Sequence, residues 1–539
     1  MKKPFAITLD PGSSLANHTG SWRTERPVYV DRLPPCNHAC PAGEDIQGWL
    51  YQAEGGDYRQ AWESLMKNNP FPAIMGRVCY HPCEGACNRG QLDESVGIHA
   101  VERFLGDEAI KQDWLPEIQS EPTGRRVLVV GSGPSGLSCA YHLRLMGHQA
   151  VIVEAENHAG GMMRYGIPKY RLPRTVLDAE IARLEKLGIE IRLNAKVDDI
   201  MTVMEGFDAA FLAVGAHIAK RAYIPAGDAS RILDAVSLLR GMEEDSPPLL
   251  GRHVVIYGGG NTAIDAARTA KTLGVEEPLI VYRRTREKMP AHESEMQEAI
   301  EEGIRFKWLT TVKTMEGGNL TVEKMILDAT GFPQPTGEFE EIEADCLILA
   351  LGQESELSLL KNVPDLESEN GMVKVDMSMM TSHPGIFAGG DMIPSEKTVT
   401  TGIGHGKKAA RNIDAWLKND SPLHPQKHEI ATFGMLNTWY FSDAPRTRQE
   451  ELDLVRRQST FEEVFRGLSE ENALFEARRC LSCGNCFECD NCYGVCPDNA
   501  VIKLGPGLRF KFNYDFCKGC SLCASECPCG AIKMVPESI

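Results

Sequence analysis

The chain has 539 residues, with 57 Lys and Arg against 75 Asp and Glu for a formal net charge of -18, 24% charged and 42% hydrophobic. That length exceeds what one core holds and points to about three or four domains. The composition supplies several globular cores and excludes wholesale disorder, and the acidic balance excludes nucleic acid or an anionic membrane as the main partner.

The N-terminal MKKPFAITLDPGSS has two lysines but no apolar core of a signal peptide, and no run of about eighteen apolar residues occurs anywhere. A cytoplasmic protein without a membrane span is expected, and there eighteen cysteines point to metal rather than to disulfides. Residues 1–122 place Cys36 and Cys40 in CNHACP, and Cys79, Cys83 and Cys87 in CYHPCEGAC. Between these motifs runs a helical pattern broken at Gly55 and Gly56, which predicts a helix pair. The segment reads as an α-helical iron-sulfur domain with its cysteines at loops and helix ends.

A first nucleotide signature follows. Residues 127–130 predict a buried strand, Gly131, Gly133 and Gly136 form G-x-G-x-x-G around Pro134 and Ser135, residues 137–146 predict a helix, and Glu154 closes the next apolar run. Gly131 suits the tight turn, Gly133 the approach to a pyrophosphate, Gly136 close helix packing, and Glu154 a ribose diol. The loop AGGMMRYGIPKYRLPR, with Gly161, Met162, Arg164, Gly166 and Ile167, reads as a flavin lining. AFLAVGA reads as a strand ending at Gly215.

A second signature has Gly258, Gly260 and Ala263 at G-x-G-x-x-A, with Asn261 and Thr262 between. Its second strand ends in Arg283 and Arg284 rather than an acid, which leans toward NADP(H); the alternative is a basic patch neutralised by Glu293, Glu295 and Glu298. DCLILALGQ reads as a strand returning to the first nucleotide domain, and IFAGGD supplies Gly390 and Asp391 before a helix that contains Gly402. The expected order is an FAD-binding domain over 123–250 and 345–430, interrupted by an NAD(P)-binding domain over 251–344, both Rossmann-like α/β.

Residues 431–479 predict a helical connector, and 480–539 a ferredoxin domain. Cys486, Cys489, Cys492 and Cys496 form C-x2-C-x2-C-x3-C followed by proline, repeated by Cys517, Cys520, Cys523 and Cys527. In that spacing the fourth cysteine ligates the other cube. One 4Fe-4S cluster then takes Cys486, Cys489, Cys492 and Cys527, the other Cys517, Cys520, Cys523 and Cys496, with zinc as the alternative metal. Cys139 and Cys346 read as buried small hydrophobes and Cys529 as a spare.

The segments CNHACP, GRVCYHPCEGAC, VGSGPSGL, GGMMRYGIP, YGGGNTAIDAARTA, VYRRTREKMPA and IFAGGD resemble the NAD(P)H-oxidising small subunit of glutamate synthase and its relatives. Those relatives include the N-terminal half of dihydropyrimidine dehydrogenase and the large subunit of the bifurcating ferredoxin-NADP transhydrogenase. YDFCKGCSLCASECPCGAI resembles the ferredoxin subunit of 2-oxoacid oxidoreductases. One departure stands out: RCLSCG, ahead of the first cysteine motif in the family, here lies at residues 479–484. The resemblance implies that Cys480 and Cys483 fold back to complete a cluster with Cys36 and Cys87. A second cluster would use Cys40, Cys79, Cys83 and Glu102; the alternative for Glu102 is a solvated helix residue.

Together these features predict an FAD-dependent NAD(P)H oxidoreductase in which nicotinamide exchanges a hydride at flavin N5 and 4Fe-4S clusters carry single electrons. No acid-base dyad, nucleophile or C-x-x-C dithiol stands beside either nucleotide signature. The final chemistry is therefore expected in partner subunits. A 2-oxoacid oxidoreductase is the first expectation and the glutamate synthase large subunit the second, with ferredoxin as a further acceptor. A redox-sensing or assembly module without turnover is the non-enzymatic alternative.

Overall fold

The computed structural model describes residues 18–21, 23–220, 222–226, 231–244, 246–421 and 428–537. The N-terminal MKKPFAITLDPGSS lies outside these residues. No helix among them is long and apolar enough to cross a membrane.

Two parallel five-stranded sheets form the centre. The first runs Ile386–Ala388, Ala209–Leu212, Arg126–Val130, Gln149–Val153, Glu190–Arg192. Its strands are short apolar runs buried on both faces, as a parallel sheet covered by helices requires. Helices Pro134–Leu145 and Val399–Lys418 cover it, and Ser138 Oγ donates to Ile403 O at 2.8 Å between them.

The second sheet corrects the expected boundaries. Its order is Arg305–Lys307, Leu279–Val281, Val254–Tyr257, Cys346–Leu349, Arg231–Asp234. The DCLILALGQ strand therefore does not return to the first domain: it pairs in parallel with Val254–Tyr257 and with Arg231–Asp234. A fully buried four-residue apolar strand carries no local mark of which sheet takes it. The insertion consequently starts before 251 and ends after 344. Chain exit and return are paired, Ile218–Ala219 against Gln353–Glu354, with Lys220 N donating to Gly352 O at 2.9 Å. An antiparallel sheet of Thr310–Glu316, Asn319–Leu327 and Pro333–Glu343 is appended to the insertion.

The N-terminal unit is helical. Helices Ile46–Glu54 and Tyr58–Met66 are separated at Gly55 and Gly56 and capped by Asp45 and Asp57, whose side chains accept from Gly48 N and Gln60 N. Trp49, Leu50, Trp62 and Leu65 are buried on their apolar faces; Tyr58–Met66 packs on helices Pro72–Val78 and Ile98–Lys111, and Ile46–Glu54 on Tyr58–Met66 and helix Glu470–Arg478. The domain limit at 122 holds no monopoly on the N-terminal residues, however. Strand Glu25–Tyr29 pairs antiparallel with Ile532–Pro536 at the other end of the chain, and Thr19 Oγ1 donates to Cys517 O at 2.7 Å.

The expected helical connector is mostly extended. Only Leu454–Ser459 and Glu470–Arg478 are α-helical, joined by strand-like chain that hydrogen-bonds back to other domains, as in Val464 N to Tyr170 O at 3.0 Å. Its charge pattern reflects ion pairs to those domains rather than a helix face: Glu463 meets Arg77 at 2.7 Å and Arg457 meets Glu302 at 3.1 Å.

Candidate functional site

A cavity of about 480 Å³ opens at the C-terminal ends of the first sheet's strands, the position where an open α/β sheet takes its ligand. Gly131, Gly133, Pro134 and Ser135 line it from the first glycine loop, and Glu154 from the end of the next strand. Gly161, Met162, Gly166 and Ile167 come from the following loop, Gly215 from the loop after strand Ala209–Leu212, and Gly390, Asp391 and Gly402 from the C-terminal half. Gly131 has φ +101, and a Cβ there would come within 2.4 Å of Ala213 O, whereas a Cβ at Gly133 would meet nothing within 4 Å. The turn is thus closed by one glycine and left open for a ligand by the other.

The donors fit an anionic dinucleotide. Ser135 Oγ, in the first turn of its helix, is buried without a partner, as a hydroxyl awaiting a phosphate oxygen would be. Glu154 accepts from Ser132 N at 2.8 Å and Glu156 N at 2.9 Å, which holds its carboxylate at the cavity rim. Burial raises the Asp391 carboxyl above its ordinary range, with Lys397 pulling the other way. Gly136 packs under the loop and does not line the cavity.

Arg164 departs from expectation. It is buried away from the cavity, donating to Ala159 O at 2.7 Å and pairing with Glu243 and Asp178. It ties the loop to helix Ala235–Glu243 instead.

Asn261 and Thr262 of the second glycine loop also reach the cavity, whereas Gly258, Gly260 and Ala263 do not line it. Arg286, not Arg283 or Arg284, takes Glu293, at 2.5 Å. Glu295 pairs with Arg171, and Glu298 with Arg268 at 2.9 Å. The three acids are therefore spent on other cations, and Arg284 Nε is buried without a partner. Tyr80, Arg171 and Asp265 line the cavity as well; each lies inside a sequence motif that assigned it no role. Tyr80 stacks on His292 with ring centroids 4.7 Å apart, joining the N-terminal unit to the insertion.

Apart from Cys139 and Cys346, which are buried away from other thiols, the cysteines gather in four groups. Burial and the neighbouring thiols of Cys480, Cys87 and Cys483 raise the Cys36 thiol, so RCLSCG does fold back to the N-terminal domain. Cys40, Cys79, Cys83 and Glu102 line one small buried pocket with Glu44 and Thr400. Asn69 Nδ2 donates both to Glu102 Oε1 at 2.8 Å and to Glu44 Oε1 at 3.0 Å. Glu102 is buried, not solvated.

In the ferredoxin region, burial and then Tyr29, Cys486, Cys527 and Cys489 act on Cys492, leaving its thiol at about 11. Burial with Cys517, Cys496 and Cys520 pushes Cys523 up to about 12. Cys527 thus neighbours the first cysteine run and Cys496 the second, with Cys492 also close to Cys523. Cys529 is no bystander, since its Sγ lies 3.7 Å from Cys527 Sγ. None of the eighteen cysteines is in a disulfide. Thiols gathered this closely without disulfides suit a metal centre that displaces their protons.

Among the described residues a further trio, His81, Glu84 and His99, brings ligand atoms close together. Arg446 donates to Glu84 at 2.6 Å and His99 Nε2 sits 3.0 Å from Gln449, so the trio is an ion-pair network already closed by a cation.

The NADP(+)-dependent formate dehydrogenase subunit beta of Moorella thermoacetica is 32% identical over 497 residues, covering 83% of this chain and 70% of that one. The chain belongs to that family of iron-sulfur flavoprotein subunits. Other members include the NADPH-Fe(3+) oxidoreductase subunit beta of Geobacter sulfurreducens, 32% identical over 518 residues, 84% of this chain and 76% of that one. The glutamate synthase [NADPH] small chain of Escherichia coli is 32% identical over 422 residues, 71% and 89%.

Family profiles match dihydropyrimidine dehydrogenase domain II, 4Fe-4S cluster, at residues 24–114 and an NAD(P)-binding Rossmann-like domain at 129–178. They also match pyridine nucleotide-disulphide oxidoreductase at 203–410 and a 4Fe-4S binding domain at 510–533. Like its family, the chain is a flavin-dependent NAD(P)H oxidoreductase with 4Fe-4S centres in its N-terminal and C-terminal regions.

Proposed function

We propose that the chain is the electron-relay subunit of a larger cytoplasmic complex, joining a nicotinamide site to a catalytic partner. The observation that carries this is the serial placement of the cysteine groups. Val78 and Tyr80, on either side of Cys79, line the flavin cavity. Cys83 and Cys87 lead from the second N-terminal group to the first, Cys483 and Cys486 lead on to the ferredoxin region, and Cys492 and Cys496 join its two groups. Cys520, in the last group, is exposed.

Bound in the cavity, FAD supplies the exchange between a hydride at nicotinamide and single electrons at 4Fe-4S clusters. The chain's residues hold the reactants in place. Ser135 and the N-terminus of its helix take the pyrophosphate, Glu154 the ribose, and Asp391 the ribityl chain. Arg283 and Arg284 take the phosphate on the adenosine ribose of NADP(H). Cys36, Cys87, Cys480 and Cys483 hold one N-terminal cluster, and Cys40, Cys79, Cys83 and Glu102 the other. Cys486, Cys489, Cys492 and Cys527, then Cys517, Cys520, Cys523 and Cys496, hold the remaining two.

The partner we favour is a 2-oxoacid oxidoreductase, because of the tail YDFCKGCSLCASECPCGAI. A glutamate synthase large subunit is the second reading, supported by the 89% coverage of the Escherichia coli small chain. Anaerobic purification with native partners tests both. Copurification of a thiamine-diphosphate protein supports the first and a glutamine amidotransferase the second. Preparations with flavin and iron but no NADPH- or NADH-driven viologen reduction would leave only the redox-sensing or assembly module.

A further inference from the structure

We propose that Thr400 is a positioning residue for the iron-sulfur cluster nearest the flavin. Its hydroxyl donates to a ligand sulfur and raises that cluster's potential from the flavin-site helix. The inference rests on Cys40, Cys79, Cys83 and Glu102 being that cluster's ligands.

Thr400 sits in the first turn of helix Val399–Lys418 and is buried. Thr398, Val399 and Gly402 of the same turn line the flavin cavity. Thr400 points to the other side, into the pocket with Cys40, Cys79, Cys83 and Glu102, and its Oγ1 lies 3.2 Å from Cys79 Sγ in donor geometry. One helical turn therefore serves both redox sites.

The ordinary duties of a threonine at a helix start are already filled. Thr398 is the N-cap, its Oγ1 accepting from Thr401 N at 3.1 Å. No helical carbonyl lies four residues back for Thr400 to bond, so back-bonding along the helix is unavailable as well.

A hydroxyl donating to a thiolate makes a charge-assisted bond, stronger than a neutral one. It stabilises the added electron on a cluster, and hydrogen bonds to the sulfurs are among the factors that set cluster potentials. Cys79 Sγ also accepts from His81 N at 3.3 Å, but that donor comes from the cysteine loop itself. Thr400 is the donor contributed by the flavin domain. Glu44 and Glu102 place carboxyl groups in the same pocket.

The test is a redox titration of the purified holoprotein, followed by the electron paramagnetic resonance of its clusters, with flavin and iron assayed in each variant. Cys79→Ala tests the underlying reading, and unchanged iron content there would defeat the ligand assignment itself. In Thr400→Val, which keeps shape and deletes the donor, one N-terminal cluster is expected to titrate at a lower potential while the ferredoxin clusters stay put. Thr400→Ser is expected to restore the wild-type value. Loss of that one cluster from Thr400→Val with retention in Thr400→Ser also supports the anchoring role. Unchanged potentials in Thr400→Val, or loss of the cluster from both variants, overturns the inference.

Discussion

Tyr29 shows how far a single side chain travels from its own sequence neighbourhood. Its hydroxyl sits 3.2 Å from Cys492 Sγ, and its ring stacks on Phe512 at 4.9 Å. Tyr29→Phe keeps the ring and removes the donor, so the cluster bound through Cys492 is expected to fall in potential while the N-terminal clusters are unchanged, as read by redox titration. Arg283 and Arg284 invite a second test. Each charge-assisted contact to a phosphate is worth about 1.5–3 kcal/mol, so Arg283→Ala with Arg284→Ala is expected to raise KM for NADPH at least about tenfold and leave KM for NADH unmoved. Equal losses with both nucleotides would place the phosphate elsewhere. The two arginines are proposed from the missing acid at the strand end, whereas nothing in the sequence marked Tyr80 or Thr400. Their positions follow from packing between domains, which no local spacing encodes. Arg164 was misread for the same reason: its loop lines the cavity, but its side chain answers to Glu243 on a helix seventy-nine positions later.

At the level of elements, the glycine loops and their helices were readable, because each is local and its geometry demands particular residues at particular spacings. The strand Cys346–Leu349 was not, since its slot between two others is decided by the whole sheet. The junction between the flavin domain and the insertion has its own electrostatics. Arg171 is shared by Asp265, at 3.0 Å, and Glu295. Burial pushes the Glu295 carboxyl up to about 7; Arg171 opposes the rise, and Asp265 and Glu298 add to it. The folded chain thus holds this proton more tightly than the unfolded chain, whose ordinary value is 4.5. The resulting stabilisation is full below that value and is lost as pH rises through about 7. Glu295→Gln carries no such dependence, so its unfolding free energy relative to wild type is expected to rise between pH 5 and pH 8, by about 2–3 kcal/mol. A difference that stays constant with pH would show that Glu295 is ionised throughout.

Across the whole molecule, the two ends of the chain build one unit. Strand Glu25–Tyr29 completes the ferredoxin region, and RCLSCG, hundreds of residues from Cys36, completes the N-terminal one. The resemblance to a family with that motif at the other end made the second crossing legible, because cysteines missing from one cluster must come from somewhere. Nothing in the sequence of ERPVY announces the first, since a five-residue strand specifies its partner only through the completed sheet. The two crossings make different demands on truncated chains. A chain ending after residue 479 loses Cys480 and Cys483 along with the ferredoxin cysteines, so it is expected to retain one cluster. A chain ending after residue 485 keeps both cysteines and is expected to retain two. Iron per flavin, measured after anaerobic reconstitution, separates these outcomes by a factor of about two, taking four irons per cube. Equal iron in the two truncations would mean that Cys480 and Cys483 do not complete the N-terminal cluster, and the serial path from the flavin to the ferredoxin region would lose the link that joins its halves.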